Sequence, residues 1–201
     1  MSEKDTAKQR LVDVTTELIC QGKKPHEITV ADITEKAGVG NGMVNYHFQS
    51  KDNLIRTAVK RVMECAKTHL SEKLLKYKDA PAADQLSIIL RETTKHFAKN
   101  PEICKIAILD NIENEQESLH ILSDVKEYKQ CIKEIFGDNL CKVWIANSVI
   151  AGFLNYSFLK AEMLKKETNF DFYDELQRNE MIDKVIKNFF INSEIKQAKG
   201  E

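Results

Sequence analysis

Apolar residues recur three and four positions apart along most of the chain, and the strict alternation typical of strands is nearly absent. Near the N-terminus, this spacing predicts a helix from Thr6 to Cys20, with Gly22 following its end. Glycine and proline, which interrupt helices, number only seven and three in 201 residues. The pattern therefore predicts an all-α protein.

Between residues 28 and 51, the polar positions predict three helix boundaries in close succession. Thr29 is placed to cap a helix, and Asp32 three residues later completes a capping box. Gly38 suits a left-handed turn at the end of that helix. A short helix from about residue 41 to 46 follows, and Ser50 caps a long helix that begins at Lys51 and runs into the 70s. Two short helices joined by a tight turn predict a helix-turn-helix, whose second helix fits the major groove of DNA.

Further helices are predicted to begin near Pro81 and Pro101, because a polar residue at or near proline is a common helix start. Gly137 marks the end of one helix and the start of another, which we expect to run from Asp138 to about Lys166. That helix is apolar on more than one face, and a last helix over about 174–192 is also rich in apolar residues. Both helices carry more apolar surface than one buried face requires, which favours a homodimer.

Polar side chains surround the short second helix of the motif. Asn41, Asn45, Tyr46 and His47 can bond to phosphates and base edges, and Gly42 lacks a side chain where DNA could approach. The positive charge of Lys51 at a helix start opposes the helix dipole, but it suits a nearby phosphate.

This arrangement resembles the tetracycline-repressor (TetR) family of bacterial transcription regulators, with its signature T-x-x-D-I-A-x-x-A-G-V-S-x-G-x-x-Y-x-H-F-x-S-K-x-x-L. The resemblance covers roughly the first quarter of the chain. The matching residues are Thr29, Asp32, Ile33, Ala37, Gly38, Val39, Gly42, His47, Phe48, Ser50, Lys51 and Leu54.

The resemblance implies phosphate contacts from Thr29, Tyr46, His47 and Lys51. It implies base or backbone contacts from Asn41, Gly42 and Met43.

Three features depart from the family pattern. Gly40 replaces the usual Ser or Thr cap of the recognition helix, Asn45 replaces an aromatic residue, and Lys36 is the only cation between Ile28 and Ser50.

The resemblance also implies two domains. Residues 1–48 would form a three-helix DNA-binding domain, and residues 49–201 a helical domain that binds a small effector and dimerises. Binding of the effector would release a homodimer from a palindromic operator by changing the spacing of its DNA-binding heads, with the long helix from about residue 51 as the lever. Residues that could line the effector pocket are Cys104, Ile108, Trp144, Asn147 and Tyr156.

Composition and charge limit the alternatives. The net charge is −1, divided as +2 over the first 61 residues and −3 over the rest, which is the sign expected for an N-terminal DNA-binding part. The charged N-terminus does not resemble a signal peptide, and no apolar run is long enough to span a membrane. We therefore expect a cytoplasmic protein that needs no cofactor.

Two other classes of function suit parts of this sequence. The weak positive charge would also suit a helical dimer that acts through protein partners and senses no ligand. Glu117 and His120 have the E-x-x-H spacing of di-iron bundles, but a second copy is absent and the cysteines form no C-x-x-C pair. The sequence thus favours a regulator without a metal or catalytic site.

Overall fold

A computed structural model describes residues 3–113, 122 and 125–191, and its regular structure within those ranges is helical throughout. This agrees with the all-α prediction. The α-helices are α1 Glu3–Cys20, α2 Val30–Ala37, α3 Gly42–Phe48, α4 Lys51–Leu74, α5 Ala82–Lys99, α6 Pro101–Glu113, α7 Lys126–Phe136, α8 Leu140–Leu159, α9 Ala161–Thr168 and α10 Glu175–Val185. Short 3₁₀ turns follow at Pro25–Glu27 and Leu75–Tyr77, and a π-helical turn at Ile186–Ile191 continues from α10. None of the described helices is both long and apolar enough to cross a membrane.

The described residues form two compact units, and α4 takes part in both. The first unit contains residues 3–65 and 100–113, and the second contains residues 66–99, 122 and 125–191. The expected functional boundary near residue 48 stays a prediction, since the contact units divide the chain within α4.

In the first unit, α1 packs against α2, α3 and α6. Its core contains one or two large apolar side chains from each of the first four helices, each no more than 1% exposed: Leu11, Ile19, Ile33, Val44 and Leu54. Burial of such a side chain contributes about 1.5–3 kcal/mol. This core fixes the orientation of α2 and α3.

In the second unit, α5 lies centrally and packs against α7, α8 and α10. Three buried aromatic rings extend from α5 through α8 to the segment before α10. The ring centroids of Phe97 and Phe158 lie 5.1 Å apart, and those of Phe158 and Phe172 lie 5.6 Å apart. These tilted contacts join elements that are distant in sequence.

The single helix expected from Asp138 to about Lys166 is interrupted, and this prediction is wrong in detail. Lys160 has φ −109° and ψ 20°, outside the helical region, so that α8 and α9 are separate helices. Phe158 before the break and Ala161 after it are both buried. Tertiary packing on both sides accounts for the break, since no glycine or proline stands there.

Candidate nucleic-acid interface

Thr29 and Asp32 form the predicted capping box at the start of α2. The hydroxyl oxygen of Thr29 accepts a bond from the Asp32 backbone N–H, and the Asp32 carboxylate accepts one from the Thr29 backbone N–H, each at 3.1 Å. The backbone bond and then the side-chain bond from Thr29 lower the pKa of Asp32 below its usual value. The capping box fixes the point where the chain enters the motif.

The turn between the two motif helices depends on Gly38. Its φ of 64° and ψ of 41° lie in the left-handed region, which glycine adopts at little cost. The Gly38 N–H bonds to the carbonyl oxygens of Thr34 and Glu35, and thereby ends α2. Gly38 therefore sets the angle at which the chain passes from α2 to α3.

The helix α3 presents different residues to the core and to solvent. Val44 and Phe48 are buried, Met43 is half-buried, and Asn45 and Tyr46 are exposed. The side chain of Tyr46 is 62% exposed. The outward positions are therefore those that the sequence predicts to meet DNA.

Asn41, rather than Gly40, precedes the first residue of α3. Its side chain makes no cap bond to the helix, and its amide oxygen accepts a bond from the Thr34 hydroxyl. Gly40 and Gly42 are both exposed, and a Cβ atom at either would meet no atom within 4 Å. The start of α3 is therefore open to close approach from outside.

The Lys51 side chain makes hydrogen bonds within the protein that the sequence alone did not reveal. Its ammonium donates to the carbonyl oxygens of Pro25 at 2.9 Å and Ile28 at 2.8 Å. These bonds connect the start of α4 to the loop before α2. The predicted phosphate contact remains a prediction, and one of the three ammonium protons is left for it.

The connection from α3 to α4 is short and locally strained. Gln49 has φ 67° and ψ −32°, a backbone region that a residue with a Cβ rarely adopts. The next residue, Ser50, accepts a bond from the Asn53 backbone N–H at 3.1 Å and caps α4 as predicted. Strained residues of this kind cluster at functional sites.

A basic recess of about 340 Å³, here named the α3–α4 recess, adjoins this connection. The side chains that line it include Lys8, His47, Gln49, Asn53, Arg56 and Lys60. His47 Nε2 is enclosed and has no hydrogen-bond partner among the described residues. His47, which is predicted to contact a phosphate, thus lines the same recess as cations from α1 and α4.

Some of the positively charged side chains in this region form ion pairs with carboxylates. Lys36, the cation of the motif, pairs with Glu17 at 2.8 Å, and Arg56 pairs with Asp110 at 3.2 Å. Lys8 lies 5.9 Å from the centroid of the Phe48 ring. The positive charge that adjoins α3 thus comes from α1 and α4, and sequence reasoning missed the contribution of Arg56 and Lys60 from α4.

The five predicted effector contacts occupy several environments. Cys104 and Ile108 are buried in the first unit, whereas Trp144, Asn147 and Tyr156 belong to α8 in the second. Trp144 and Tyr156 are 70% and 54% exposed. Asn147 accepts a bond from the Tyr128 hydroxyl at 2.7 Å. A role for these residues in an effector pocket stays a prediction.

A metal centre finds no support in the described part of the chain. No group of three or more His, Cys, Asp or Glu side chains there could hold a metal ion. Glu117 and His120, the pair with di-iron spacing, lie outside the described residues.

Comparisons with known proteins agree with the motif geometry. Residues 12–58 match the family model for bacterial regulatory proteins of the tetR family. The fatty acid metabolism regulator protein of Bacillus subtilis is 23% identical over 127 residues, which are 63% of this chain and 62% of the relative. The alignment thus spans less than two thirds of that relative.

Two solved structures share the fold. The transcriptional regulator FadR from B. subtilis, solved in complex with stearoyl-CoA, has a TM-score of 0.57 at 18% identity, covering 89% of this chain and 96% of that one. The fatty acid degradation regulator FadR from Bacillus halodurans has a TM-score of 0.61 at 15% identity, covering 90% and 98%. Together with the family model over the helix-turn-helix, these findings confirm the resemblance of this chain to the tetR family of bacterial regulatory proteins that was inferred from the sequence.

Proposed function

We propose that this protein is a transcriptional repressor that binds an operator as a homodimer and leaves it when a small ligand binds. The observation that carries the proposal is the geometry of α2 and α3. The capping box at Thr29 and the left-handed turn at Gly38 hold α3 so that Asn45 and Tyr46 point outward. This is the arrangement by which a recognition helix enters the major groove.

The contacts to DNA divide into two groups in this proposal. Asn41, Gly42, Met43 and Asn45, at or near the start of α3, would approach the bases. Thr29, Tyr46, His47 and Lys51 would contact phosphates, together with the cations of the α3–α4 recess. Phosphate contacts of this kind supply affinity and fix the register, while base contacts supply specificity.

The homodimer is proposed from the exposed apolar side chains of α8. Five large apolar residues of this helix are exposed to solvent: Leu140, Trp144, Ile145, Val149 and Tyr156. Gly152 lies among them, and a Cβ atom there would meet no atom within 4 Å. A contiguous exposed apolar face on a helix marks an association surface, and glycine allows a second helix to approach closely. The predicted partner segments are therefore residues 138–166 and 174–192 of a second copy.

The proposed effector is a long-chain acyl compound. A structural neighbour is a regulator in complex with stearoyl-CoA, and a curated relative is a fatty acid metabolism regulator. The interior of the second unit is apolar and includes the aromatic side chains Phe97, Phe158 and Phe172. Transfer of an acyl chain from water into apolar surroundings is favourable. The ligand would favour the arrangement of the DNA-binding heads that does not fit the operator.

The experiment is selection of bound sequences from random duplex DNA, followed by titration of the selected duplex with and without stearoyl-CoA. We expect a selected sequence with two-fold symmetry, binding that weakens steeply as salt rises, and release by the acyl ligand. The variant Tyr46→Ala should weaken binding, whereas Tyr77→Ala, an exposed tyrosine outside the motif, should not.

Failure to bind DNA even at low salt would refute the repressor and favour the alternative of a helical dimer with protein partners. Binding of DNA without any response to acyl ligands would keep the regulator and remove the proposed effector class.

A further inference from the structure

Thr34 of α2 is a buried polar residue close to the start of α3, and only 1% of it is exposed. The family signature has alanine at this position, directly after the isoleucine that matches Ile33. Thr34 therefore adds a hydroxyl to the interior of the motif. A buried hydroxyl is stable there only when it has a hydrogen-bond partner.

The backbone of Thr34 fixes the path of the chain from α2 to α3. Its carbonyl oxygen accepts a bond from the Gly38 N–H and another, at 3.0 Å, from the Val39 N–H. Two bonds to one carbonyl hold the turn against the end of α2. The residues that follow the turn are therefore placed relative to Thr34 by the backbone.

The hydroxyl of Thr34 reaches the side chain of Asn41. It donates a hydrogen bond to the amide oxygen Oδ1 of Asn41, and it also lies 2.9 Å from the carbonyl oxygen of Val30. Val30 belongs to α2, so that its carbonyl has a helical N–H partner in any case. Oδ1 of Asn41 has no other donor among the described residues. The single hydroxyl proton therefore serves Asn41.

The Asn41 amide is consequently oriented. Asn41 is exposed and makes no cap bond to α3. A primary amide has an acceptor end, the oxygen, and a donor end, the NH₂ group. Since the oxygen faces the buried hydroxyl of Thr34, the NH₂ group points away from the interior of the motif.

We infer that Thr34 is a positioning residue that holds the NH₂ group of Asn41 outward, so that Asn41 selects guanine at the base pair that it contacts. This inference rests on the proposed function, in which Asn41 approaches the bases. Guanine offers two neighbouring acceptors in the major groove, N7 and O6, which suit the two N–H donors of one amide. Bidentate pairing with adenine would require the oxygen and the NH₂ group to face the same base edge, and Thr34 holds the oxygen elsewhere.

The test is selection of bound sequences from random duplex DNA by the full chain, with the wild type and with variants at residues 34 and 41. Asn41→Ala identifies the contacted base pair, as the position where this variant loses its base preference. We expect guanine there in the wild type. Thr34→Val keeps the branched shape but removes the hydroxyl, and should reduce the guanine preference at that position by about fivefold or more. Thr34→Ser keeps the hydroxyl and should retain the preference.

Thr15→Val is the matched control. Thr15 is also buried in the first unit, and its hydroxyl donates to the Leu11 carbonyl, four residues earlier in α1, at 2.8 Å. The substitution removes a hydroxyl of the same kind without touching Asn41. We therefore expect the base preferences of Thr15→Val to equal those of the wild type.

Asn41→Asp tests the orientation at an exposed residue, and therefore also serves if Thr34→Val fails to fold. Both ends of a carboxylate are acceptors, so that the outward atom changes from a donor to an acceptor. We expect the preference to change from guanine to cytosine, whose N4 amino group donates in the major groove. If the amide oxygen pointed outward instead, Asn41→Asp would keep the wild-type preference.

A wild-type preference for any base other than guanine at this position would overturn the inference. An unchanged preference in Thr34→Val, or equal changes in Thr34→Val and Thr15→Val, would also overturn it. Asn41→Ala that weakens binding to all sequences equally would assign Asn41 to a phosphate and remove the inference. Each of these results leaves the proposed repressor in place, whereas a wild-type protein that binds no DNA would refute the proposed function itself.

Discussion

The ammonium of Lys51 donates a hydrogen bond to the carbonyl oxygen of Ile28, with 2.8 Å between Nζ and O. The same group bonds to the Pro25 carbonyl at 2.9 Å. These bonds explain a positive charge at the start of α4, where the helix dipole disfavours it. Lys51 therefore supports the motif from within, whether or not its third proton reaches DNA.

Replacement of Lys51 by methionine should lower the free energy of unfolding by about 1–3 kcal/mol, because two carbonyl groups lose a charged donor. Urea unfolding measures this loss. The dependence of DNA affinity on salt distinguishes the internal hydrogen bonds of Lys51 from its predicted phosphate contact. Loss of a phosphate contact reduces the slope of log K against log salt by about 1.

A Lys51→Met variant with reduced affinity and an unchanged salt slope would show that Lys51 acts only inside the protein. Lys23→Met is the control, since Lys23 lies in the same loop region and its side chain makes no hydrogen bond or ion pair among the described residues.

Gly38 and Gly40 offer a matched pair of substitutions. Gly38→Ala forces a Cβ into a φ of 64° and should cost about 1–2 kcal/mol of stability. Gly40 has an ordinary φ and open space around it, so that Gly40→Ala should change stability by less than about 0.5 kcal/mol. Thermal unfolding of both variants checks the difference, and equal losses would contradict the role given to the left-handed turn.

Sequence reasoning succeeded where interactions are local. The Thr29–Asp32 box, the turn at Gly38 and the Ser50 cap each involve residues within about five positions, and each has a recognisable residue type. The exposed face of α3 also follows from helical spacing, because the core positions Val44 and Phe48 determine which side faces solvent.

Features that depend on distant residues could not be predicted. The partners of Lys51 lie 23 and 26 positions away, and nothing in the local sequence indicates them. The break at Lys160 has no glycine or proline.

Acid should destabilise the protein through His96. Burial lowers the pKa of this imidazole below its usual value of 6.5, so that the unfolded chain takes up the proton at a higher pH than the folded one. Stability is therefore lost as the pH falls through 6.5 toward the folded pKa. The melting temperature should fall between about pH 7.5 and 5.5, and His96→Asn should make this fall shallower.

The control for this prediction is His26→Asn, which removes an exposed imidazole from the 3₁₀ turn before α2. A pH profile that is the same for His96→Asn and the wild type would assign the acid sensitivity to other groups.

Ile145→Glu tests the proposed dimer. The Ile145 side chain is 50% exposed on α8, so that a glutamate there should leave the folded subunit intact. Its carboxylate should be unfavourable only when an apolar interface buries it. Sedimentation velocity should show a dimer for the wild type and a monomer for the variant. Leu75→Glu, at an equally apolar residue that is 65% exposed outside α8, should remain dimeric. A dimer that persists in Ile145→Glu would remove this face of α8 from the interface.

The unbroken length of α4 has a geometric consequence. Its 24 residues extend over about 36 Å. A rotation of only about 5° about its C-terminal end displaces its N-terminal end by about 3 Å, close to the 3.4 Å that separates neighbouring base pairs. In the proposed mechanism, a rotation of α4 by only a few degrees would therefore be enough to shift the proposed recognition helix by about one base-pair step.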